Sequence, residues 1–228
     1  MKLTRAVMAV GLAAMLGSAV LVTGPMPASA VATLSLNDGI NPVVTVADGS
    51  IDDKCPIAGC VTFIGSIGVW IVNVSTGISS SPFPSIDLNS IDLSTAAGTL
   101  KILLGDTDFT LGAGPHQVPL GSAIGGTTAG SVSWHSGLND SNINPATGGC
   151  CDQIGTLYGP KGPGAFSQSN LDTYSADGTF AVALEVDITH TGAGTTSFDY
   201  EGKVPGPATL LLLGFGLVAA GTLRRRAA

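Results

Sequence analysis

TFAVALEVDIT, residues Thr179–Thr189, is the clearest structural signal in the chain. From Phe180 to Ile188 every second residue is large and apolar, whereas Ala, Glu and Asp occupy most of the alternate row. A period of two is typical of a strand in an antiparallel sheet with one face against the core. The stretch therefore predicts a half-buried β-strand.

Short runs of the same kind occur on both sides of this strand. The pairs Ile86–Leu88 and Ile91–Leu93 each alternate, but in opposite phase, so we predict a bulge or a turn at Asn89-Ser90. Turn signals ending in Asp-Gly are expected to close hairpins at 37–39, 47–49 and 176–178. The remaining predicted strands are Thr33–Leu36, Val43–Ala47, Cys60–Ile64, Val69–Val74, Leu100–Leu104, Ser131–Ser136 and Thr195–Tyr200.

Many short strands with frequent turns, and no apolar period of 3.6 residues, predict an all-β fold. We expect one antiparallel β-sandwich or jelly-roll-like domain over residues 31–203. Two segments rich in Gly, Pro, Asn and Thr, 112–130 and 137–169, are predicted to be long loops. Because loops carry function more often than strands do, we expect any functional site in the second of them.

The first 30 residues have the pattern of a secretory signal peptide. Lys2 and Arg5 precede an apolar stretch from Ala6 to Val22, and Ala28-Ser29-Ala30 offers small residues for cleavage. We expect signal peptidase to cut after Ala30. The alternative is a retained N-terminal anchor, against which the Ala-x-Ala ending argues.

The last 25 residues, 204–228, contain a second apolar segment. The run from Ala208 to Leu223 would span about 24 Å as a helix, close to the lower limit for a bilayer, and 206–223 is predicted as a transmembrane helix. Arg224, Arg225 and Arg226 would hold its end on the cytoplasmic side, with the preceding domain outside.

This tail resembles the sorting signal of PEP-CTERM proteins, which consists of Val-Pro-Glu-Pro-Ala/Ser-Thr/Ser, a Leu/Gly-rich helix and an Arg cluster. Gly206 stands where the family has Glu, and the matching residues are Val204, Pro205, Pro207, Ala208 and Thr209. The resemblance implies export, processing by an exosortase-type membrane peptidase and association with extracellular polysaccharide. The protein would then be at the outer surface or in the extracellular matrix, after a stage in the inner membrane. A plain, permanent membrane anchor is the alternative.

The charge of the exported domain excludes one class of partner. Only four of its residues are basic, all of them Lys, against 16 acidic residues, so its formal charge is −12. Such a surface repels phosphate backbones, and we expect no binding to nucleic acid. Acidic loops in solvent account for this charge, although they could also attract divalent cations.

The four cysteines of an exported chain predict disulfides. Cys55 and Cys60 enclose four residues that Pro56 and Gly59 could turn, so we favour a local bridge. Cys150 and Cys151 are adjacent and could pair only as a strained ring; the alternative links each to one cysteine of the first motif. The spacing does not fit a usual zinc site, and no metal is expected from it.

The sequence contains no known catalytic motif, and we predict a protein that is not an enzyme. Asp106 and Asp108 could present two carboxylates on one strand face, as calcium ligands or as plain loop acids. Trp70 lies in an apolar run and is predicted to be core, whereas Trp134 is the candidate for a sugar-stacking surface residue. Two hypotheses follow: a structural surface or matrix protein without a cofactor, or a carbohydrate- or calcium-binding β-sandwich.

Overall fold

The computed structural model describes residues 31–76, 84–148 and 151–205. The predicted signal peptide, the predicted helix 206–223 and most of the sorting motif lie outside these ranges. No helix within them has the length and hydropathy of a membrane span. The elements are β1 (Thr33–Asn37), β2 (Val44–Ala47), β3 (Thr62–Ile67), β4 (Trp70–Thr76), β5 (Ser85–Ser94), β6 (Gly98–Thr128), β7 (Ser131–Asn139), α1 (Pro145–Gly148), β8 (Gln153–Ile154), β9 (Tyr158–Lys161), β10 (Gly164–His190) and β11 (Gly194–Lys203).

Two very long strands, β6 and β10, organise the fold. They pair antiparallel from Gly98 opposite His190 to Thr128 opposite Gly164. The ribbon bends where Gly112 and Gly114 adopt positive φ and where the register shifts beside Asp177. Each strand therefore contributes one half to each of two layers.

This bend corrects two expectations. Residues 112–130 are almost entirely strand and not loop, and Ala176-Asp177-Gly178 lies within β10 instead of closing a hairpin. The positive φ of Gly178, which suits a tight turn, serves a bulge here because β6 continues alongside.

The strands form two layers without a break in hydrogen bonding. Layer A has the order β2, β1, the first half of β6, the second half of β10, and β7, with β8 and β9 on β7. Layer B has the order β3, β4, β5, β11, the second half of β6 and the first half of β10. All of these pairings are antiparallel, which confirms the all-β prediction.

The core lies between the layers, as expected for a β-sandwich. Leu184 of layer A approaches Gly202 of layer B so closely that a Cβ on Gly202 would lie 3.0 Å from the leucine side chain. The predicted apolar row of 179–189 is buried, but Ala181, Ala183 and Glu185 on the other row are also buried. The segment around α1 covers that outer face, where Leu103, Ala146, Cys151 and Ala183 form a small second cluster.

The predicted interruption at Asn89-Ser90 is wrong. β5 pairs with β4 and β11 in one continuous register from Ser85 to Ser94. Ser90, Asp92 and Ser94 continue the inward row of Ile86 and Leu88. Ser90 Oγ donates a hydrogen bond to Asp92 Oδ1, and Ser94 Oγ is hydrogen-bonded to His190 Nδ1. Ile91 and Leu93 consequently point into solvent.

The chain enters and leaves the sandwich at the same end, which we call the exit end. Thr33 pairs with Ala47 and Gly105, and the loop after Ala47 leads directly into β3. β3 starts where β4 ends and where β11 leaves towards Pro205. The β1–β2 loop, residues 38–43, lies at the opposite end.

Candidate functional site

A groove on the outer face of layer A has the strongest features of a binding site. It has a volume of about 430 Å³ and lies between the β2 edge and α1. Its floor is formed by side chains of β1, β6 and β10 that point away from the core. The lining residues are Ser35, Asn37, Val43, Thr45, Lys101, Leu103, Pro145, Ala146, Thr147 and Glu185. We call it the Lys101 groove.

A cluster of charged side chains lies on the floor of this groove. Lys101 Nζ contacts Glu185 Oε1 and is 3.8 Å from Asp187 Oδ1. The register explains the geometry, because Lys101 is directly opposite Asp187 and Glu185 is directly opposite His135. His135 Nε2 lies 3.9 Å from Glu185 Oε1, so one carboxylate faces two basic side chains.

Burial decides the electrostatics of the cluster. Glu185 is buried, whereas Lys101 remains partly exposed and can turn its other N–H groups to the groove. Burial raises the pKa of the Asp187 carboxyl, while the charge of Lys101 acts in the opposite direction. The groove therefore presents one cation above a buried carboxylate.

The lining suits a hydroxylated ligand. Ser35, Thr45 and Thr147 supply hydroxyl groups, and Asn37 supplies an amide. Leu103 and Ala146 provide an apolar floor between these polar groups. A sugar presents hydroxyl groups and C–H faces in alternation, and this combination can satisfy both.

A second groove crosses the outer face of layer B. It has a volume of about 390 Å³ and is lined by Asn89, Ser90, Ile91, Gly125, Gly126, Ser197, Phe198 and Asp199. Beside it, burial raises the pKa of Asp87 to about 6, with further contributions from Asp199 and Glu201. Its border is acidic, and no basic side chain lines it.

Trp134 is fully buried, so the prediction that it stacks on a sugar at the surface is wrong. It belongs to the inward row of β7, and its ring stacks with those of Tyr158 and Phe166 at centroid distances of 6.2 and 6.1 Å. The sequence beside it, His135-Ser136, is polar, but both residues are also buried. Trp70 is in the core, as predicted.

Asp106 and Asp108 do not share a strand face. The register shift between Phe180 and Val182 places an extra residue in β6, and Asp108 adopts a φ of 65°. Asp106 is consequently buried, with Oδ1 accepting the N–H of Thr107, whereas Asp108 hydrogen-bonds Asn142. The described residues contain no group of three acidic, His or Cys side chains placed to hold a metal ion.

The predicted local disulfide is confirmed. Cys55 and Cys60 are bonded, with their Cα atoms 5.8 Å apart. Cys151 is buried in the small cluster under α1, and Cys150 lies outside the described residues. The pairing of this second motif therefore stays a prediction.

Sequence reasoning missed the Lys101 groove. Its residues come from β1, β2, β6, β10 and α1, and no local motif connects them. One signal was available: Glu185 and Lys101 each interrupt an apolar run, and both are rare residue types in this domain. We expected the site in residues 137–169, but only α1 of that segment lines the groove.

Comparisons with known proteins give no family. No family model matches the chain, and no curated protein matches it. Among solved structures, the enzymatically active domain of tailspike protein 4 from bacteriophage CBA120 is 11% identical, with a TM-score of 0.32. That alignment covers 61% of this chain and 20% of the tailspike chain.

A second structure, TmCBM61 in complex with β-1,4-galactotriose, is 9% identical with a TM-score of 0.24. The alignment covers 60% of this chain and 90% of the other. Both TM-scores are too low to indicate a shared fold.

Proposed function

We propose that this is an exported, non-enzymatic surface or extracellular-matrix protein that associates with extracellular polysaccharide through the Lys101 groove. The observation that carries the proposal is the groove itself, in which hydroxyl and amide groups surround an apolar floor and one lysine. The Cys55–Cys60 disulfide supports export, because such bonds persist in oxidising compartments.

The charge of the domain favours one class of polysaccharide as the ligand. At a formal charge of −12, the domain repels polyanions at low ionic strength, so neutral polysaccharides fit better than uronic acid polymers. Lys101 is already engaged by Glu185 and Asp187, which leaves it as a hydrogen-bond donor more than as a free cation. We therefore expect neutral hexose chains to bind best.

The two termini supply the route to the surface. The signal-type segment 1–30 directs export, and the tail 204–228 inserts in the inner membrane until an exosortase-type peptidase cuts it. The motif begins at Val204, which is still buried in the sandwich, and the chain emerges at Pro205, so the rest of the motif follows the folded domain immediately. If Gly206 prevents cleavage, the same tail keeps the protein anchored.

Binding is tested with a groove-filling variant and a matched control. Thr45→Trp places a large ring in the groove from an exposed position of β2, whereas Thr173→Trp makes the same change on exposed β10, away from both grooves. On arrays of neutral and acidic glycans, we expect Thr45→Trp to lose at least tenfold in affinity for neutral chains and Thr173→Trp to lose none. Equal binding by both variants, or no binding by the wild type, would reject the groove as the site.

The same array, repeated with a chelator, tests the calcium-dependent alternative. Loss of glycan binding in the chelator would favour a calcium-binding module. Retained binding would favour the metal-free groove.

Sorting is tested by intact mass. We expect mature protein from the medium or matrix to begin at Val31 and to lack the apolar tail, and protein in the membrane fraction to retain it. A full-length C-terminus found only in membranes would reject processing and leave a plain anchor.

A further inference from the structure

The exit end of the sandwich carries exposed apolar side chains. Ile51 and Ile57 in the β2–β3 loop are 93% and 60% exposed. Val31 and Ile143 are also exposed there, and Asn144 Nδ2 donates to the carbonyl of Val31, which joins these two segments. Isolated exposed apolar residues are ordinary, so the meaning of these four depends on the shape of their loop and on what lies beside this end of the domain.

The loop that carries Ile51 and Ile57 is held in shape. The Cys55–Cys60 disulfide closes its tip, and Asp53 Oδ1 accepts the backbone N–H groups of Cys55 and Thr62 at 2.8 and 2.9 Å. Asp48 Oδ2 accepts the N–H of Gly59 at 2.7 Å. Two carboxylates are thus turned towards the loop backbone while the isoleucines are turned to solvent, so ordering the loop on a surface costs little conformational entropy.

The chain leaves the domain at this same end. The N–H of Val204 donates to the carbonyl of Pro84 at 2.9 Å, and the Val204 side chain is buried. The apolar run begins at Ala208, three residues after Pro205. Three extended residues reach about 10 Å, so a bilayer that holds the run also lies next to the exit end.

We propose that the exit end docks on the lipid surface, with Ile51 and Ile57 entering the interface while the tail is in the membrane. The inference rests on the membrane segment of the proposed function. The occupant is lipid because the segment outside the described residues brings lipid to this end. The contact is apolar in character, since a domain of formal charge −12 is repelled by anionic headgroups.

The test compares two matched exposed isoleucines in the full-length chain. Ile51→Trp reports on the exit end, and Ile40→Trp reports on the opposite end, where Ile40 is 89% exposed. The native residues Trp70 and Trp134 are buried and give the same background in both variants. Each variant is inserted in phosphatidylcholine vesicles containing lipid brominated near the headgroup, and the loss of tryptophan fluorescence is measured.

We expect Ile51→Trp to lose at least threefold more fluorescence than Ile40→Trp. Equal quenching in variants that float with the vesicles would overturn the docking and leave the membrane segment intact. A full-length chain that does not float with the vesicles would overturn the membrane segment, and the docking with it. Ile57→Trp provides a second reporter if Ile51→Trp disturbs thermal unfolding.

Discussion

Ser94 Oγ lies 2.6 Å from His190 Nδ1, in a hydrogen bond that joins layer B to layer A through the interior. The other ring nitrogen of His190 is 2.8 Å from Thr196 Oγ1, and the ring contacts Trp70 at a centroid distance of 4.9 Å. Both ring nitrogens are thus engaged by hydroxyl groups in a site with little access to water.

The hydrogen bond between Ser94 and His190 predicts that removing the imidazole lowers the free energy of unfolding. His190→Leu leaves two interior hydroxyl groups with fewer partners, and we expect the free energy of unfolding to fall by about 2–3 kcal/mol. Burial lowers the pKa of His190, so the unfolded chain takes up a proton near pH 6.5 before the folded one does. Stability from this group is therefore present above pH 6.5 and lost as the pH falls, and that loss disappears in the variant.

Urea unfolding between pH 5 and pH 8 measures both effects. His116→Leu, a half-buried histidine on the β6 bend, is the control and should change stability by less than about 1 kcal/mol. An effect of His190→Leu no larger than that of the control would contradict the interior role.

The Asp92 carboxyl should make the free energy of unfolding fall as the pH rises. It is fully buried, and burial raises its pKa to about 7, against which its hydrogen bond from Ser90 acts. The folded chain therefore holds a proton that the unfolded chain releases near pH 4, and this contribution is lost between about pH 4 and pH 7. We expect Asp92→Asn to stabilise the protein at pH 8 by about 2–4 kcal/mol and to have little effect at pH 4.

Asp38→Asn is the opposite case and the control. Hydrogen bonds from Asn41 and Ile40 lower the pKa of Asp38, so its contribution is present at neutral pH and lost as the pH falls through the folded pKa. Denaturant titrations at pH 4 and pH 8 measure the free energy of unfolding of both variants. At pH 8 this free energy should rise in Asp92→Asn and fall in Asp38→Asn. The same gain for Asp92→Asn at both pH values would show that folding does not raise the pKa of this carboxyl.

Asp108 and Asn142 should behave as one structural unit. The N–H of Asp108 donates to Asn142 Oδ1, and Asn142 Nδ2 donates to Asp108 Oδ1, both at 2.8 Å. Both residues have positive φ, of 65° and 56°. Asp108→Ala should cost about 2–3 kcal/mol, because it removes the side-chain hydrogen bonds from Asn142 and Thr107 that offset the strain of the left-handed conformation.

Asp108→Gly should recover about 1 kcal/mol of that loss, because glycine accepts positive φ. Thermal unfolding with and without 1 mM calcium chloride measures these changes. A calcium-dependent rise in Tm for the wild type, absent from Asp108→Ala, would instead support a role as a calcium ligand.

Trp134→Ala should lower the stability of the protein and should have no direct effect on glycan binding. The ring is fully buried between Tyr158 and Phe166, and removing it leaves a large cavity that should cost about 3–5 kcal/mol. Thr173→Ala on an exposed strand position is the control. Lost glycan binding at unchanged stability would contradict the core position of Trp134.

Much of the strand content was predictable, because alternation is local. The alternation from Phe180 to Ile188 correctly predicted which side chains of that strand point to the core. The Cys55–Cys60 disulfide was also predictable, because the two cysteines are close in sequence. The turn at Ala176-Asp177-Gly178 was wrong for a physical reason: a positive φ at glycine suits a bulge as well as a hairpin, and only the neighbouring strand determines which one forms.

The candidate site could not be predicted, because it depends on pairing between distant residues. Lys101 meets Glu185 and Asp187 only through the register of β6 with β10. Likewise, Ser90 and Asp92 interrupt the apolar alternation of β5, and only the continuous pairing of β5 with β4 and β11 shows that both are buried.

The chain's own sequence thus determined the all-β class, the local disulfide and the acidic charge of the domain, since each depends on near neighbours or on composition. The tertiary structure alone decided that Trp134 is core, that Asp106 and Asp108 face apart, and that the Lys101 groove exists. Burial and cross-strand contact are properties of the assembled layers, and residues far apart in the chain create them only when two long strands bend from one layer into the other.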